Sequence, residues 1–151
     1  MSNERYAFIM MVRNTWWQRF RQQHHDGKQV QSYVRTGKTS PRKASKLFFY
    51  LVKPIGEIVG HADFIERKVG DPQELWKEHG RESVLSTVQQ YKNVVKCRSE
   101  ASFIRFENLY EAERPIALNS LLMLLGTSRL QRKGFYVNRE TAEKLIDLMK
   151  R

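Results

Sequence analysis

The chain has 151 residues, 40% of them apolar, and a formal net charge of +11. That length suits one compact domain spanning residues 1–151, and a composition neither Gly/Pro-rich nor poor in aromatics excludes intrinsic disorder. Cys97 is the sole cysteine, which excludes an internal disulfide and a cysteine-rich zinc site and points to a reducing, cytoplasmic setting.

The apolar runs 7–12 and 121–125 are too short for a secretory core or a membrane span, so no membrane partner is expected. The charge is lopsided. Residues 1–53 carry eleven Lys/Arg against Glu4 and Asp26, whereas the remainder is nearly balanced. From Lys28 to Lys53 there are seven basic residues and no acid, a one-sided segment of the kind that tracks a phosphate backbone.

In chain order, Ala7 to Val12 reads as a strand, and Thr15 to Gln23 as a helix with Trp16, Trp17 and Phe20 at helical spacings. His24-His25-Asp26-Gly27 breaks that helix, and Gln29 to Arg35 alternates as a second strand. Thr36 to Ser45 lacks apolar periodicity and reads as an exposed basic connection. Lys46 to Val52 is a short, aromatic-rich apolar run, hence a central strand. Glu57 to Lys68 pairs back with it across the Pro54-Ile55-Gly56 turn, and Gly60 marks a bulge or close approach.

Asp71-Pro72-Gln73-Glu74 starts a helix ended by Gly80, and Ser86-Thr87-Val88-Gln89 starts another running to about Tyr91. Ser102 to Phe106 and Ile116 to Leu118 read as separate short strands. Asn119 caps a helical turn through Leu125, and Asn138 caps a last helix with Ala142, Leu145, Ile146 and Met149 on one face. This order lacks regular β-α alternation and predicts a compact α+β fold with a closed or nearly closed barrel.

No Walker loop, dinucleotide fingerprint, nucleophile elbow or zincin helix is present, so no standard enzyme is advertised and no cofactor is expected. His24 and His25 have only Asp26 beside them, too few ligands for a metal, and none is expected. His61 and His79 are isolated and read as partly buried or capping groups. Cys97, flanked by Lys96 and Arg98, reads as a semi-buried thiol.

The combination above background is Arg35-Thr36-Gly37-Lys38-Thr39 followed by Arg42-Lys43, directly before Phe48-Phe49-Tyr50. Cations neutralise phosphates, hydroxyls and glycine amides contact phosphate oxygens, and rings stack on unpaired bases. Phe48 and Phe49 point to opposite strand faces, so one of them, Phe48, is assigned to the core. A second basic-aromatic cluster comprises Arg129, Arg132 and Lys133 beside Gly134-Phe135-Tyr136. The candidate nucleic-acid contacts are therefore Arg35, Thr36, Lys38, Arg42, Lys43, Arg129 and Lys133, with Trp17, Tyr50 and Tyr136 as stacking rings. A competing reading, a protein-interaction module using Trp16, Trp17 and the 121–125 patch, leaves the charge asymmetry unexplained.

Lys46-Leu-Phe-Phe-Tyr50, Ile58-Val-Gly-His-Ala62, Asp71-Pro-Gln-Glu-Leu-Trp76 and Gly134-Phe-Tyr-Val137 together resemble an uncharacterised, mainly archaeal family related to EVE and ASCH domains, over residues 5–148. The resemblance implies a PUA-like β-barrel with short flanking helices, and binding of RNA or a modified nucleotide, with RNA favoured over DNA. ASCH proteins carry Gly-x-Lys and a later Arg at their cleft; here Gly37-Lys38 lacks the intervening residue, and Arg42 follows. Some ASCH relatives cut RNA or hydrolyse an acylated nucleoside with Lys, Thr and a carboxylate. Lys38, Thr36 or Thr39, and Glu57 or Glu66 are the matching residue types here, giving a metal-independent hydrolase as the alternative to a binding module.

Overall fold

The computed structural model describes residues 5–96 and 98–150; Cys97 lies outside them. Six strands form one sheet in the order β2-β5-β4-β3-β1-β6, surrounded by five helices. β1 (Ala7–Val12) runs into α1 (Asn14–His25), then β2 (Val30–Thr36), β3 (Lys46–Leu51) and β4 (Glu57–Gly70). α2 (Pro72–His79), a 3₁₀ turn (Gly80–Glu82) and α3 (Val88–Val95) precede β5 (Ala101–Ala117). α4 (Leu118–Leu125), β6 (Phe135–Val137) and α5 (Arg139–Met149) finish the chain.

Local chemistry accounts for most boundaries. Asp71 accepts the Glu74 amide at 3.1 Å, with Pro72 in the first turn, and Asn138 accepts the Thr141 amide at 2.9 Å. The α3 cap lies one residue later than expected. Thr87, not Ser86, accepts the Gln90 amide at 3.1 Å, the Gln90 side chain reaches back to accept the Ser86 amide at 2.9 Å, and the helix runs on to Val95. α4 begins at Leu118 without a side-chain cap.

Two further expectations need correction. Ser102–Phe106 and Ile116–Leu118 are not separate strands; β5 runs unbroken from Ala101 to Ala117, and the polar stretch between them pairs with β4 through several register shifts. The barrel does not close, because β2 and β6 remain the sheet's edges. The sheet nevertheless curls, bringing Tyr33 and Ile104 into one apolar cluster with Phe8, Met10 and Phe49.

Both faces of the sheet are buried, which decides what its aromatics can do. Phe8, Met10, Leu47, Phe49 and Phe106 point inward against Trp17 and Phe20 of α1. Ile9, Phe48, Tyr50 and Ile58 point outward beneath Leu121, Ala142, Leu145 and Met149 of α4 and α5. A third cluster joins Val34 and Phe103 to Leu75, Tyr91 and Val95.

Gly60 is where α1 meets the sheet. A Cβ there would lie 2.4 Å from the Tyr110 carbonyl oxygen and 2.6 Å from Trp17 Cη2, and the carbonyl cannot retreat without breaking the ladder. Gly60→Ala is therefore expected to cost about 1–3 kcal/mol, read as a lower urea midpoint with an unchanged slope.

His61 stacks on Tyr110 with centroids 4.8 Å apart, and its Nδ1 is buried without a hydrogen-bond partner. Burial, with nearby Lys46 and Lys150 outweighing Asp63, pushes the imidazole down to about 4. An unfolded histidine titrates near 6.5, so between these values the unfolded chain binds a proton that the folded chain refuses. His61 thus contributes no penalty above about pH 6.5 and progressively destabilises the fold as pH falls toward 4. Urea midpoints measured from pH 7 to pH 4.5 are expected to decline, and His61→Phe to flatten that decline.

Candidate nucleic-acid interface

β6 pairs with β1 only at Ala7, Phe8 and Ile9. Beyond it, the Met10–Val12 half of β1 has no strand neighbour on that side among the described residues, and β2 stands opposite across a cavity of about 370 Å³. Met10 and Met11 line one wall, and Tyr33, Arg35 and Thr36 the other. The β2–β3 loop contributes Lys38, Thr39 and Ser40, the connection before β6 contributes Arg132 and Lys133, and Phe8 and Ile104 complete the lining. Among the described residues no carboxylate lines this cavity.

The loop is tied down, although its sequence suggests only an exposed connection. Gly37 donates its amide to the Glu100 carbonyl at 2.9 Å, and its carbonyl accepts the Ser102 hydroxyl. The Thr39 amide donates to Ser102 Oγ at 3.2 Å, Thr39 Oγ1 donates to the Thr36 carbonyl at 3.2 Å, and Arg67 donates to the Thr39 carbonyl at 3.3 Å. Arg35 lies with its guanidinium 5.1 Å from the Tyr33 ring centroid and donates to the Tyr33 hydroxyl at 2.5 Å. The Arg35 side chain is exposed.

Of the residues expected to contact nucleic acid, the structure gathers Arg35, Thr36, Lys38 and Lys133 around this cavity. Tyr136 is half-buried and lines an adjoining cavity of about 620 Å³; its hydroxyl accepts the Arg42 amide at 3.0 Å. Arg42, Lys43 and Arg129 are exposed and line neither cavity.

Trp17 and Tyr50 are not stacking rings. Trp17 is 4% exposed and packs on Phe49 at 5.3 Å between centroids; Tyr50 is 6% exposed in the cluster beneath α5. Alternation puts Tyr50 on the same face as Phe48, the residue assigned to the core, and helices cover both faces of β3.

Nor does the proposed Lys38, Thr36 and carboxylate set assemble. Glu57 opens β4 between Leu51 and Ala117, away from the cavity, and Glu66 accepts from Arg105 at 2.5 Å. Arg105 also holds Glu82 through two hydrogen bonds of 2.8 and 2.9 Å. Burial raises the Glu82 pKa, but the bonds from Arg105 and Ser32 outweigh it and leave the carboxyl below its ordinary value. His79 Nδ1 lies 3.4 Å from Glu82 in this cluster, and His25 lies 2.5 Å from Glu111. Among the described residues no three or more His, Cys, Asp or Glu stand together as metal ligands, and no helix is long and apolar enough to cross a membrane.

Sequence reasoning missed Tyr33, Met10, Met11 and Ser40. The usable signal was two-residue spacing: Tyr33 and Arg35 share a face of β2, as Phe8 and Met10 do on β1.

No protein-family model matches the chain. It is 27% identical over 109 residues, 72% of each sequence, to the "ASCH domain-containing ribonuclease" of Zymomonas mobilis. The crystal structure of ASCH from Zymomonas mobilis superposes with a TM-score of 0.77 at 19% identity, covering 98% of this chain and 99% of that one. Sequence and fold together support homology to ASCH domain proteins of the PUA-like superfamily. A single-residue variant of that ASCH protein gives 0.75 at 20% identity, over 97% of this chain and 98% of its own. An NMR structure of a protein from Rhodopseudomonas palustris gives 0.52 at 14% identity over 95% and 92%. The ASCH matches come from a bacterium, Zymomonas mobilis, so the expected archaeal affiliation gains no support.

Because Trp17 is a core residue, its loss acts on folding. Trp17→Ala is expected to destabilise the protein by about 3–5 kcal/mol, whereas Lys38→Ala, exposed at the cavity, is expected to shift stability by less than about 0.5 kcal/mol. Paired chemical denaturation measures both.

Proposed function

We propose that this protein binds RNA in the cavity between β1 and β2. The observation that carries the reading is the meeting of two distant basic segments, Arg35 with Lys38 and Arg132 with Lys133, around one acid-free cavity with hydroxyls on its wall. Four cations in that arrangement offer phosphate contacts, and the Thr36, Ser40 and Tyr33 hydroxyls offer further donors. RNA, rather than DNA, is favoured by the ribonuclease to which the chain is similar. A modified nucleotide is accommodated by the same reading.

A second reading, metal-independent hydrolysis, draws on that relative's printed name and on the amine and hydroxyls in the cavity. For RNA, a ribose 2′-hydroxyl attacks the adjacent phosphorus, the P–O5′ bond breaks, and the leaving oxygen takes a proton. Arg35, Lys38 and Lys133 would stabilise the charge growing on the phosphate oxygens. The 2′-proton would pass to solvent water and the Lys38 ammonium would give the proton that the leaving O5′ takes, since Glu57 and Glu66 are held elsewhere.

Fluorescence anisotropy with single-stranded RNA across a salt series tests the binding. Lys38→Ala and Lys133→Ala are each expected to weaken every sequence similarly and lower the salt slope by about 0.7. Wild-type protein with no salt-dependent binding, or a double variant that binds as tightly as wild type, would reject the cavity. For the second reading, RNA cleavage is expected to persist in chelator and to fall in Lys38→Ala; cleavage abolished by chelator rejects it.

A further inference from the structure

The cavity at the seam continues in both directions. On one side it shares Met11, Tyr33, Arg35 and Thr36 with a cavity of about 500 Å³, whose wall includes Trp16 and Arg13. On the other it shares Phe8 and Ser40 with the cavity of about 620 Å³ that contains Tyr136 and Arg5. All three volumes fall within the roughly 300–1,000 Å³ of small-molecule sites, so each has room for one nucleotide.

Charge separates this trench from the rest of the surface. Arg5, Arg13, Arg35, Lys38, Arg132 and Lys133 line it, and among the described residues no Asp or Glu lines any of its three parts. The groove between α2 and α3, by contrast, includes Asp71.

Each end carries a flat group. Trp16 is half-buried and meets Tyr33 edge-to-face at 5.1 Å, unlike its sealed neighbour Trp17. At the far end the Arg5 guanidinium lies 5.0 Å from the Tyr136 ring centroid, and Phe8 braces that ring edge-on at 5.0 Å. Indole faces and guanidinium planes are the surfaces on which unpaired bases stack. Duplex bases already have both faces covered by their neighbours, so flat groups at the two ends of a cationic trench suit a single strand.

We propose that the seam is a three-station trench for single-stranded RNA, with bases stacked on Trp16 at one end and on the Arg5–Tyr136 pair at the other, and phosphates held between them by Arg35, Lys38 and Lys133. This rests on the RNA-binding reading and adds the strand state, the length of the site and its two end residues.

The test is a length series of 2′-O-methyl oligouridylates, from one to eight nucleotides, which cannot be cleaved through the 2′-oxygen. Affinity is expected to rise steeply to about three or four nucleotides and then level. Binding is expected to quench tryptophan fluorescence in wild type but not in Trp16→Leu. Trp16→Leu and Arg5→Ala are each expected to weaken the eight-mer by about fivefold or more. Should Trp16→Leu fold poorly, the exposed Arg13→Ala and the wild-type quench decide the same end. Affinity that is flat beyond one nucleotide overturns the trench, as does eight-mer binding unchanged in Trp16→Leu, Arg13→Ala and Arg5→Ala. A duplex bound as tightly as the single strand also overturns it. If Lys38→Ala still weakens binding in those cases, the RNA-binding reading survives; if it too has no effect, both fall.

Discussion

The half of β1 that has no strand neighbour on its β6 side among the described residues is the constraint on which the surface of this protein depends. β6 covers only Ala7, Phe8 and Ile9, although β3 pairs with β1 along all six residues. Gly134, at φ 85°, comes so close as it enters β6 that a Cβ would sit 2.6 Å from the Ile9 carbonyl oxygen. An exposed strand edge invites pairing with another chain unless it is shortened, charged or covered. Here the β1 remainder is flanked by cations, and the curl of the sheet brings β2 opposite without a ladder forming. The gap that would close a barrel is the cavity.

Burial on both sheet faces then dictates where ligand contacts can lie. Phe48 and Tyr50 are taken by α4 and α5, and Phe49 by α1, so the most aromatic strand presents no ring to solvent. Open positions are left to strand ends and connections held by the sheet, where binding residues commonly collect. Ser102 shows how the scaffold reaches them: buried on β5, it hydrogen-bonds both Gly37 and Thr39 and so fixes the loop that carries Lys38.

What was legible in the sequence followed from local rules. β1, α1, β3 and the hairpin into β4 came from apolar periodicity, and the α2 and α5 starts from Asp71 and Asn138. The long β5 was hidden because Glu107 to Pro115 lacks alternation; cross-strand pairing with β4 sustains it instead. β6 has three residues, too few for a period. At the cavity, the basic residues of both segments were legible as charge, but their meeting was not, since it depends on sheet curvature. Choosing between Trp16 and Trp17 required knowing that Gly60 lets the sheet pass directly beneath Trp17, sealing that ring and leaving its neighbour half-open.

Amide chemical-shift mapping during titration with uncleavable single-stranded RNA tests most directly whether the seam is the binding surface. The account predicts the largest shifts at residues 10–12, 33–40 and 131–136. Largest shifts in the groove between α2 and α3, or along α4, with those segments silent, would contradict it.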